Sequence, residues 1–532
     1  MPQVNIATMR EALRAFREVA RRQTGDPLSQ VHLGSGLGHR SAHGALSTVT
    51  GQWTRLILQT ASTVVLARLL TPEEFGLVAM VTALIYVGDA LGNLGLSQST
   101  VQTRELTLEQ VNFFFWVQVT VGLVLTSATI LLTPTIVDFY HQPRLASIAT
   151  VMALSFLANG LAAQHVALLS RQMRFSLMSM MDVLGLLGGI IVAVAVAVAG
   201  GGVWAVVSLS LTPAIVRLIV ATFASGWTPR RPGTAAGVAP MFRFGVNLTF
   251  TNILDYAAKN MDNVLVGRTF GPDVLGLYSR AYNLLLLPIR QVNGPVSRVA
   301  VPVLGYLQDQ PDRYRKYYRL ALSAIAYSAL PILAILAATA SAVIELMLGD
   351  DWLEATPIFQ VLAIGGAVLI VGNTNSWLFI STGQTGRMAL WALASRPVIV
   401  FGFFIGLPFG ALGVAWGFAG ANLLLVLPAF VVAVRGTPVR VVDIWLSTWR
   451  ALLLSALVFS VGVVVTRELG SVSPWAVMGT SVGGMIVVMA LAAIMWSSVR
   501  KDVRQILDVF LRPDNRNPSA FDDRAGEGQI RP

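Results

Sequence analysis

The chain has 532 residues, of which 55% are hydrophobic and only 12% are charged, and its mean hydropathy is +0.66. A soluble domain carries about 25% charged residues, so this composition excludes an ordinary soluble domain and indicates a protein with many membrane-spanning helices. The net charge of +11 fits basic loops on one side of a membrane better than nucleic-acid binding, and the absence of cysteine excludes disulfides, thiolate catalysis and cysteine-ligated metals.

The first 48 residues are predicted to form a basic cytoplasmic tail. Residues 8–22 place four arginines on one helical face and apolar side chains on another. This pattern is typical of a helix that lies on an anionic membrane surface, and a solvated tail explains it equally well.

Apolar stretches follow one another through most of the remaining chain. Because about 20 apolar residues cross the hydrocarbon core of a bilayer, we expect six transmembrane helices in a first lobe at 49–225, six in a second lobe at 244–434 and two more at 435–498. A cytoplasmic linker is predicted at 226–243, and an amphipathic cytoplasmic helix with a disordered tail at 499–532. The predicted fold class is therefore all-α, a polytopic membrane protein of about fourteen transmembrane helices. The predicted spans are 49–70, 75–97, 111–133, 145–168, 177–199, 203–225, 244–267, 274–297, 320–343, 356–380, 388–407, 411–434, 450–466 and 474–496.

The loops between these spans alternate in charge. Those on one side carry arginines, among them Arg171, Arg174 and Arg230, and those on the other carry mostly acids, among them Glu73 and Asp350. Basic loops stay in the cytoplasm. Both termini are therefore predicted to be cytoplasmic.

A short motif occurs twice, 200 positions apart. Leu66–Leu77 aligns with Val266–Leu277, with Arg, Pro, an acid, Gly and Leu in register. A repeat in a membrane chain indicates a transporter whose two halves surround a central cavity. Both copies are predicted to lie at the outer turn between the first two helices of a lobe. Their arginines, Arg68 and Arg268, are expected to cap the last helical turn of their spans or to pair with Glu73 and Asp273, and so to be structural rather than substrate ligands.

Several segments resemble those of the polysaccharide-transport flippases in the multidrug/oligosaccharidyl-lipid/polysaccharide superfamily. They are Leu69–Leu77, Asp262–Gly267, Leu275–Tyr282 and Met347–Trp352, and the resemblance extends over roughly residues 45–440. It implies a Wzx-type flippase of the bacterial inner membrane, with two six-helix lobes around a cavity. Such a protein would move an undecaprenyl-pyrophosphate-linked oligosaccharide from the cytoplasmic to the periplasmic leaflet for surface polysaccharide synthesis. Membrane lipid, a polysaccharide polymerase and glycosyltransferases are the expected partners, and no cofactor, metal or nucleic acid is expected.

Ionisable residues within the predicted spans are the candidates for transport. Each costs roughly 2.5–3.5 kcal/mol at the bilayer centre, so a cavity is favoured over a lipid-facing position. Cations suit the pyrophosphate, an asparagine suits sugar, and carboxylates suit a coupling ion. The substrate-binding candidates are Arg55, Lys259, Arg280, Arg290 and Asn263, and the ion-coupling candidates are Asp89, Asp255 and Asp262.

Each of these assignments has a structural alternative. Asp255, Lys259 and Asp262 share one helical face, which suits a cavity wall or a self-neutralising ladder of ion pairs. Arg290 is equally suited to reaching lipid headgroups from the end of its helix. Asn263 can bind sugar or join two helices.

Three other functions are weighed against the flippase. A cation-coupled drug exporter of the same superfamily is disfavoured by arginine-rich spans, because a cavity for cationic drugs should be acidic. A membrane polysaccharide polymerase or ligase is disfavoured by short outer loops. A passive scaffold would leave export insensitive to changes in the cavity. The five histidines lack metal-ligand spacing, so no catalytic or metal site is expected.

Overall fold

The structure is a computed structural model that describes residues 37–93, 96–103, 106–231, 238–470 and 473–511. Within these ranges it describes side chains from residue 51 onward, apart from 90, 93, 102, 238–255, 257–259, 503 and 506–511. The predicted N-terminal amphipathic segment 8–22 and the predicted disordered tail at 513–532 lie outside the described residues. All regular secondary structure in the described ranges is helical.

The described residues form seventeen α-helices, numbered here in chain order, and two short 3-10 helices at Asp350–Ala355 and Leu407–Phe409. The bounds are α1 Leu37–Ala67, α2 Pro72–Asn93, α3 Leu96–Gln102, α4 Leu108–Tyr140, α5 Leu145–Arg171, α6 Phe175–Val198, α7 Val203–Ala224, α8 Val238–Tyr306, α9 Pro311–Ala338, α10 Ala340–Met347, α11 Thr356–Gly372, α12 Asn375–Ser381, α13 Thr385–Gly406, α14 Gly410–Val434, α15 Val441–Leu469, α16 Pro474–Met495 and α17 Ser497–Leu511.

Nine helical segments within the described ranges are long and apolar enough to cross a membrane, and one of them, Thr385–Val434, contains both α13 and α14. The predicted class, an all-α polytopic membrane protein, is confirmed. The count of fourteen spans stays a prediction.

Helix α8 is interrupted at Gly271. This residue has φ 84° and ψ −178°, which no helical residue adopts, and it divides α8 into segments 238–270 and 272–306. A positive φ strains any residue with a side chain, so glycine is the residue that allows the break. The break lies between the predicted spans 244–267 and 274–297, within the second copy of the motif.

Cα packing divides the chain into two compact units. The first runs to Asn283 and includes Val343–Leu362 and Ala392–Ala421, and the second contains the other residues. In the first unit α4 packs along α5, and α6 packs against α7 and α1. In the second unit α9 packs along α15, with Tyr314 and Tyr318 completely buried.

The corner before α6 and the corner before α13 have the same backbone structure. In the first, the amide of Met173 donates to Ser170 and φ of Met173 is 54°. In the second, the amide of Gly383 donates to Ile380 and φ of Gly383 is 70°. The amide of Gly200 donates to Ala197 in the same way, with a φ of 78°, so this structure is a common form of helix end.

An arginine after each of these corners caps a later helix. Arg174 donates to the carbonyl of Ala224 at the end of α7, at 2.7 Å. Arg387 donates to the carbonyl of Val432 near the end of α14, also at 2.7 Å. Cations are favourable at the unpaired carbonyls of a helix C-terminus.

The two copies of the motif are in direct contact within the first unit. A Cβ atom on Gly76 would overlap the carbonyl group of Pro272, and a Cβ atom on Gly276 would overlap the carbonyl group of Pro72. The exchange is reciprocal, as in a contact between two-fold-related surfaces. We call the contact formed by Pro72, Gly76, Pro272 and Gly276 the motif contact.

The two motif arginines make contacts other than the expected ones. Arg68 donates to the carbonyl of Leu346 at 3.0 Å and so caps α10. The alternative pairing of Arg68 with Glu73 is wrong, because Glu73 pairs with Arg144 at 2.8 Å. The guanidinium of Arg268 lies 5.5 Å from the centre of the Phe139 ring.

Candidate functional site

A stripe of side chains runs along one face of α2. Phe75, Thr82, Tyr86 and Asp89 are spaced by seven, four and three residues, which places them on the same side of a helix. Phe75 is buried, whereas Tyr86 is 47% exposed. Three of these residues contact polar or aromatic groups on other helices of the first unit.

Arg280 lies on the ring of Phe75, at the motif end of the stripe. Its guanidinium carbon is 4.1 Å from the ring centre, which is a cation–π contact. Its Nε atom is buried with no hydrogen-bond partner, and no carboxylate among the described residues forms an ion pair with it. A buried guanidinium that lacks a counterion can bind an anion.

Tyr86 also stacks on Tyr256 of α8. The ring centres are 6.4 Å apart with an interplanar angle of 19°, and Tyr256 is 43% exposed. Each ring offers an apolar face and a hydroxyl group. Such a pair can contact the CH face of a sugar ring while it forms hydrogen bonds to sugar hydroxyls.

Arg55 belongs to a charged cluster in the first unit. Asp182 of α6 pairs with Arg55 of α1 at 3.6 Å and with Arg217 of α7 at 3.0 Å. All three side chains are more than a third exposed although they lie within apolar helices. Charged side chains in apolar helices are expected to avoid lipid, so exposed surfaces at these three residues favour a water-filled space beside them.

Asp89 lies beside this cluster. Its carboxylate accepts a hydrogen bond from Asn159 at 3.2 Å and interacts electrostatically with Arg217. The structure therefore brings the candidates Arg55 and Asp89 into one network, in which Arg217 links them. The two arginines balance the charge of Asp182 and Asp89.

Asp262 occupies a different environment. Its side chain is buried, and it accepts hydrogen bonds from the Tyr278 hydroxyl at 3.1 Å and from the amide of Asn263 at 2.8 Å. No cation in the described part of the chain is within ion-pair distance of it. The side-chain oxygen of Asn263 is also buried and has no hydrogen-bond partner there. A carboxylate in such a setting can take up a proton or a cation.

The remaining candidates stand apart. Arg290 lies in the second unit with an exposed side chain. Asp255 and Lys259 are in α8, and their side chains lie outside the described residues, so the predicted ladder with Asp262 stays a prediction. The described residues contain no group of three or more His, Asp or Glu side chains that could hold a metal.

Sequence reasoning missed the aromatic part of this region. The sequence predicts Phe75 only as a residue of the motif, and it does not predict Tyr86 or Tyr256 as substrate-binding residues. The spacing of Phe75, Thr82, Tyr86 and Asp89 was visible in the sequence and would have revealed the stripe. The stacking partner of Tyr86 was not visible, because it depends on how α8 packs.

A helical membrane protein with a repeated motif and exposed charges on its apolar helices has the features of the transporter class. The sequence profile described as polysaccharide biosynthesis protein matches residues 65–357, more than half of the chain. The chain therefore belongs to the polysaccharide biosynthesis protein family, and the resemblance seen in the sequence is confirmed.

Individual proteins agree with this assignment. The lipopolysaccharide biosynthesis protein WzxC of Escherichia coli is 26% identical over 420 residues, which cover 76% of this chain and 84% of WzxC. The teichuronic acid biosynthesis protein TuaB of Bacillus subtilis is 25% identical, covering 62% and 68% of the two chains. The structure of the lipid II flippase MurJ in an inward closed conformation superposes with a TM-score of 0.70 at 14% identity, over 85% of this chain and 99% of MurJ. The fold is shared with MurJ.

Proposed function

We propose that this protein moves a polyprenyl-pyrophosphate-linked oligosaccharide from the cytoplasmic to the periplasmic leaflet for surface polysaccharide synthesis. The observation that carries the proposal is Arg280, a buried guanidinium on the ring of Phe75 with no carboxylate partner among the described residues. Leaving such a charge unpaired costs free energy unless an anion completes the site. The relatives named for lipopolysaccharide and teichuronic acid biosynthesis support a polysaccharide precursor as the cargo, and we propose that its lipid-linked phosphate is the anion.

The cargo presents three problems to the protein, and different residues answer them. Its pyrophosphate needs cations, and Arg280 is the first choice. Arg55 can contribute a second positive charge if it releases Asp182. Lys259 and Arg290 remain candidates from the sequence. Its sugars need amphipathic and polar contacts, which Tyr86 with Tyr256 and the free oxygen of Asn263 can provide. Its lipid tail can stay in the bilayer throughout.

Coupling to an ion is proposed for the carboxylates. Asp262 is the strongest candidate, because it is buried and lacks a cationic partner among the described residues. Asp89 is a weaker candidate for ion coupling, because its carboxylate already has Asn159 as a hydrogen-bond donor and Arg217 as a nearby positive charge. Asp255 remains a candidate from the sequence. One positive charge that moves inward gains about 2.3 kcal/mol per 100 mV, which could return the empty carrier.

A drug exporter explains the charges less well. A cavity for cationic drugs needs an exposed carboxylate that is free to pair with the drug. Asp182 is held by both Arg55 and Arg217, and Asp262, which has no cationic partner among the described residues, is buried. Drug resistance on overexpression with normal surface polysaccharide after deletion would favour the exporter. A polymerase or ligase is disfavoured because the described corners predicted to face outward, such as 141–144 and 199–202, are only four residues long.

The proposed setting follows the charge of the loops. We place the protein in the bacterial cytoplasmic membrane with both termini in the cytoplasm, where Arg171, Arg174 and Arg230 would lie. The proposed lobes are 49–225 and 244–434, and alternating access would come from their movement about the cavity. A polymerase and glycosyltransferases are the proposed partners.

The test is deletion of the gene followed by analysis of lipid-linked intermediates. The proposal predicts that a complete lipid-linked oligosaccharide accumulates in the cytoplasmic leaflet, where a membrane-impermeant sugar oxidant added from the periplasm cannot reach it. Expression of the parent chain should restore access. Normal periplasmic exposure in the deletion strain would rule the proposal out.

A further inference from the structure

Phe75 makes contacts in two directions. One face of its ring carries the Arg280 guanidinium, 4.1 Å from the ring centre. The ring also meets Trp352 edge to face, with centres 5.4 Å apart and an angle of 67°. Trp352 is fully buried, and its indole N–H donates to the carbonyl of Ala67 at 2.9 Å. Phe75 thus joins the candidate anion site to the end of α1.

The motif contact begins one residue further on. Gly76 lies against the carbonyl group of Pro272, and Arg280 is in the same helical segment as Pro272, two turns away. The contact between Phe75 and Arg280 therefore also joins α2 to the 272–306 segment of α8. Separation of α2 from the 272–306 segment at the motif contact would therefore strain the contact between the ring and the guanidinium.

We propose that Phe75 is a positioning residue that couples anion binding at Arg280 to opening of the motif contact. This inference rests on the proposed function, because the anion is taken to be the pyrophosphate of the cargo. While the site is empty, the ring holds the guanidinium and the contact stays closed. When a phosphate group binds, the guanidinium leaves the ring and the contact loses one of the interactions that keep it closed.

The relative strengths of two interactions give the direction of this effect. A guanidinium forms charge-assisted hydrogen bonds to phosphate that are shorter and stronger than its attraction to an aromatic ring. A ligand shifts an equilibrium only through its different affinity for the two states. Here the closed state binds the anion more weakly, because part of the binding energy is needed to release the guanidinium from Phe75. Anion binding therefore favours the open state.

A purely structural role for Phe75 leads to a different expectation. If the ring only fills space between α2 and Trp352, its removal would loosen the motif contact but leave the response to an anion intact. The coupling role and the space-filling role are therefore distinguished by one ratio, the rate of opening with the anion divided by the rate without it. This ratio is compared between a variant that keeps the ring and one that lacks it. Phe75→Tyr keeps the ring, and Phe75→Leu keeps apolar volume without it.

The measurement uses a single cysteine, which is simple in a chain that contains none. Met80 is completely buried beside Gly267, near the motif contact. In Met80→Cys protein in lipid nanodiscs, the rate of labelling by a bulky maleimide reports opening. Undecaprenyl pyrophosphate is the probe, undecaprenol is the control lipid, and Glu354→Cys, at an exposed position, controls for reagent access.

We expect undecaprenyl pyrophosphate to raise the labelling rate about fivefold, the lower end of typical coupling between sites, in the parent and in Phe75→Tyr. In Phe75→Leu the rate without probe should already be raised, and the probe should change it little. Without probe, Phe75→Leu and Arg280→Gln should each raise the rate, and their combination should raise it no further, because both remove the same contact.

Binding is measured separately, as the shift in thermal unfolding caused by the probe. If the probe binds and raises labelling in Phe75→Leu by the same factor as in Phe75→Tyr, the coupling is refuted while the proposed function stands. If the probe binds no better than undecaprenol to the parent protein, both are refuted.

Discussion

Gly76 packs directly against the backbone carbonyl of Pro272, and the equivalent residues of the other motif copy, Gly276 and Pro72, repeat the contact in reverse. Neither glycine has room for even a methyl group. The glycines of the motif thus serve a close approach of two helices. The contact explains why glycine, rather than any small residue, occupies these two positions.

Substitution of Gly76 or Gly276 by alanine should therefore force the motif contact apart. Overpacking of a tight contact costs about 1–3 kcal/mol, enough to shift the equilibrium strongly toward the open state. We expect faster maleimide labelling of Met80→Cys and slower transport in both variants. Gly294→Ala is the matched control, because nothing in the structure lies within 4 Å of an added Cβ there. Equal labelling in Gly76→Ala and Gly294→Ala would contradict this account of the contact.

The corners before α6 and α13 predict opposite effects of two substitutions. Met173 has φ 54° and Gly383 has φ 70°, a region that costs a residue with a side chain about 1 kcal/mol or more. Met173→Gly should therefore raise the thermal unfolding temperature, and Gly383→Ala should lower it. Unfolding can be followed by tryptophan fluorescence in detergent. A loss of stability in Met173→Gly comparable to that in Gly383→Ala would show that the Met173 side chain contributes more than its backbone strain costs.

Asp443 should be the most important carboxylate for the stability of the second unit. It is completely buried, accepts from Nε and a terminal nitrogen of Arg315 at 2.6 and 2.7 Å, and also accepts from the amide of Arg440 at 2.8 Å. Asp443→Asn replaces an acceptor oxygen by a donor that faces these groups. We expect the unfolding temperature to fall by several degrees, against little change for Arg144→Gln at an exposed pair. Similar values for the two variants would disprove the importance of Asp443.

Asp262 should carry the dependence of transport on ion gradients. Asp262→Asn keeps an acceptor for the Tyr278 hydroxyl but can no longer gain and lose a charge. In proteoliposomes, dissipation of the potential and of the proton and sodium gradients should slow the parent protein and leave Asp262→Asn unchanged. Tyr278→Phe should remain sensitive to the gradients. Parent transport that is indifferent to the gradients would remove the basis for coupling.

The main architecture was predictable because it depends on local composition. Apolar length and loop charge gave the all-α membrane class, and the alignment of Leu66–Leu77 with Val266–Leu277 gave the repeat. The break in α8 was predictable too, because Gly271 and Pro272 interrupt an apolar pattern. These signals need no knowledge of which helices are neighbours.

The partners of individual charges were harder to predict. Arg55 was chosen as a phosphate ligand without its partner Asp182, since the two residues are 127 positions apart in sequence. Arg68 caps the helix that contains Leu346, 278 positions away, rather than the helix that precedes Arg68 in the chain. Such pairings depend on tertiary packing, which spacing along one helix cannot reveal.

Arg280 is the residue on which the proposed function depends most. Removal of its charge should weaken binding of the pyrophosphate, whereas removal of an exposed arginine elsewhere should not. Hydrogen bonds to charged groups contribute roughly 1.5–3 kcal/mol, which corresponds to a loss of about tenfold or more.

The most direct measurement is the rate at which a reconstituted undecaprenyl-pyrophosphate-linked oligosaccharide becomes accessible on the opposite leaflet of proteoliposomes. Arg280→Gln is compared with Arg144→Gln, with equal folding of both verified by thermal unfolding. We predict a rate at least about tenfold lower for Arg280→Gln and a rate near that of the parent for Arg144→Gln. Equal rates for the parent and Arg280→Gln would contradict the account.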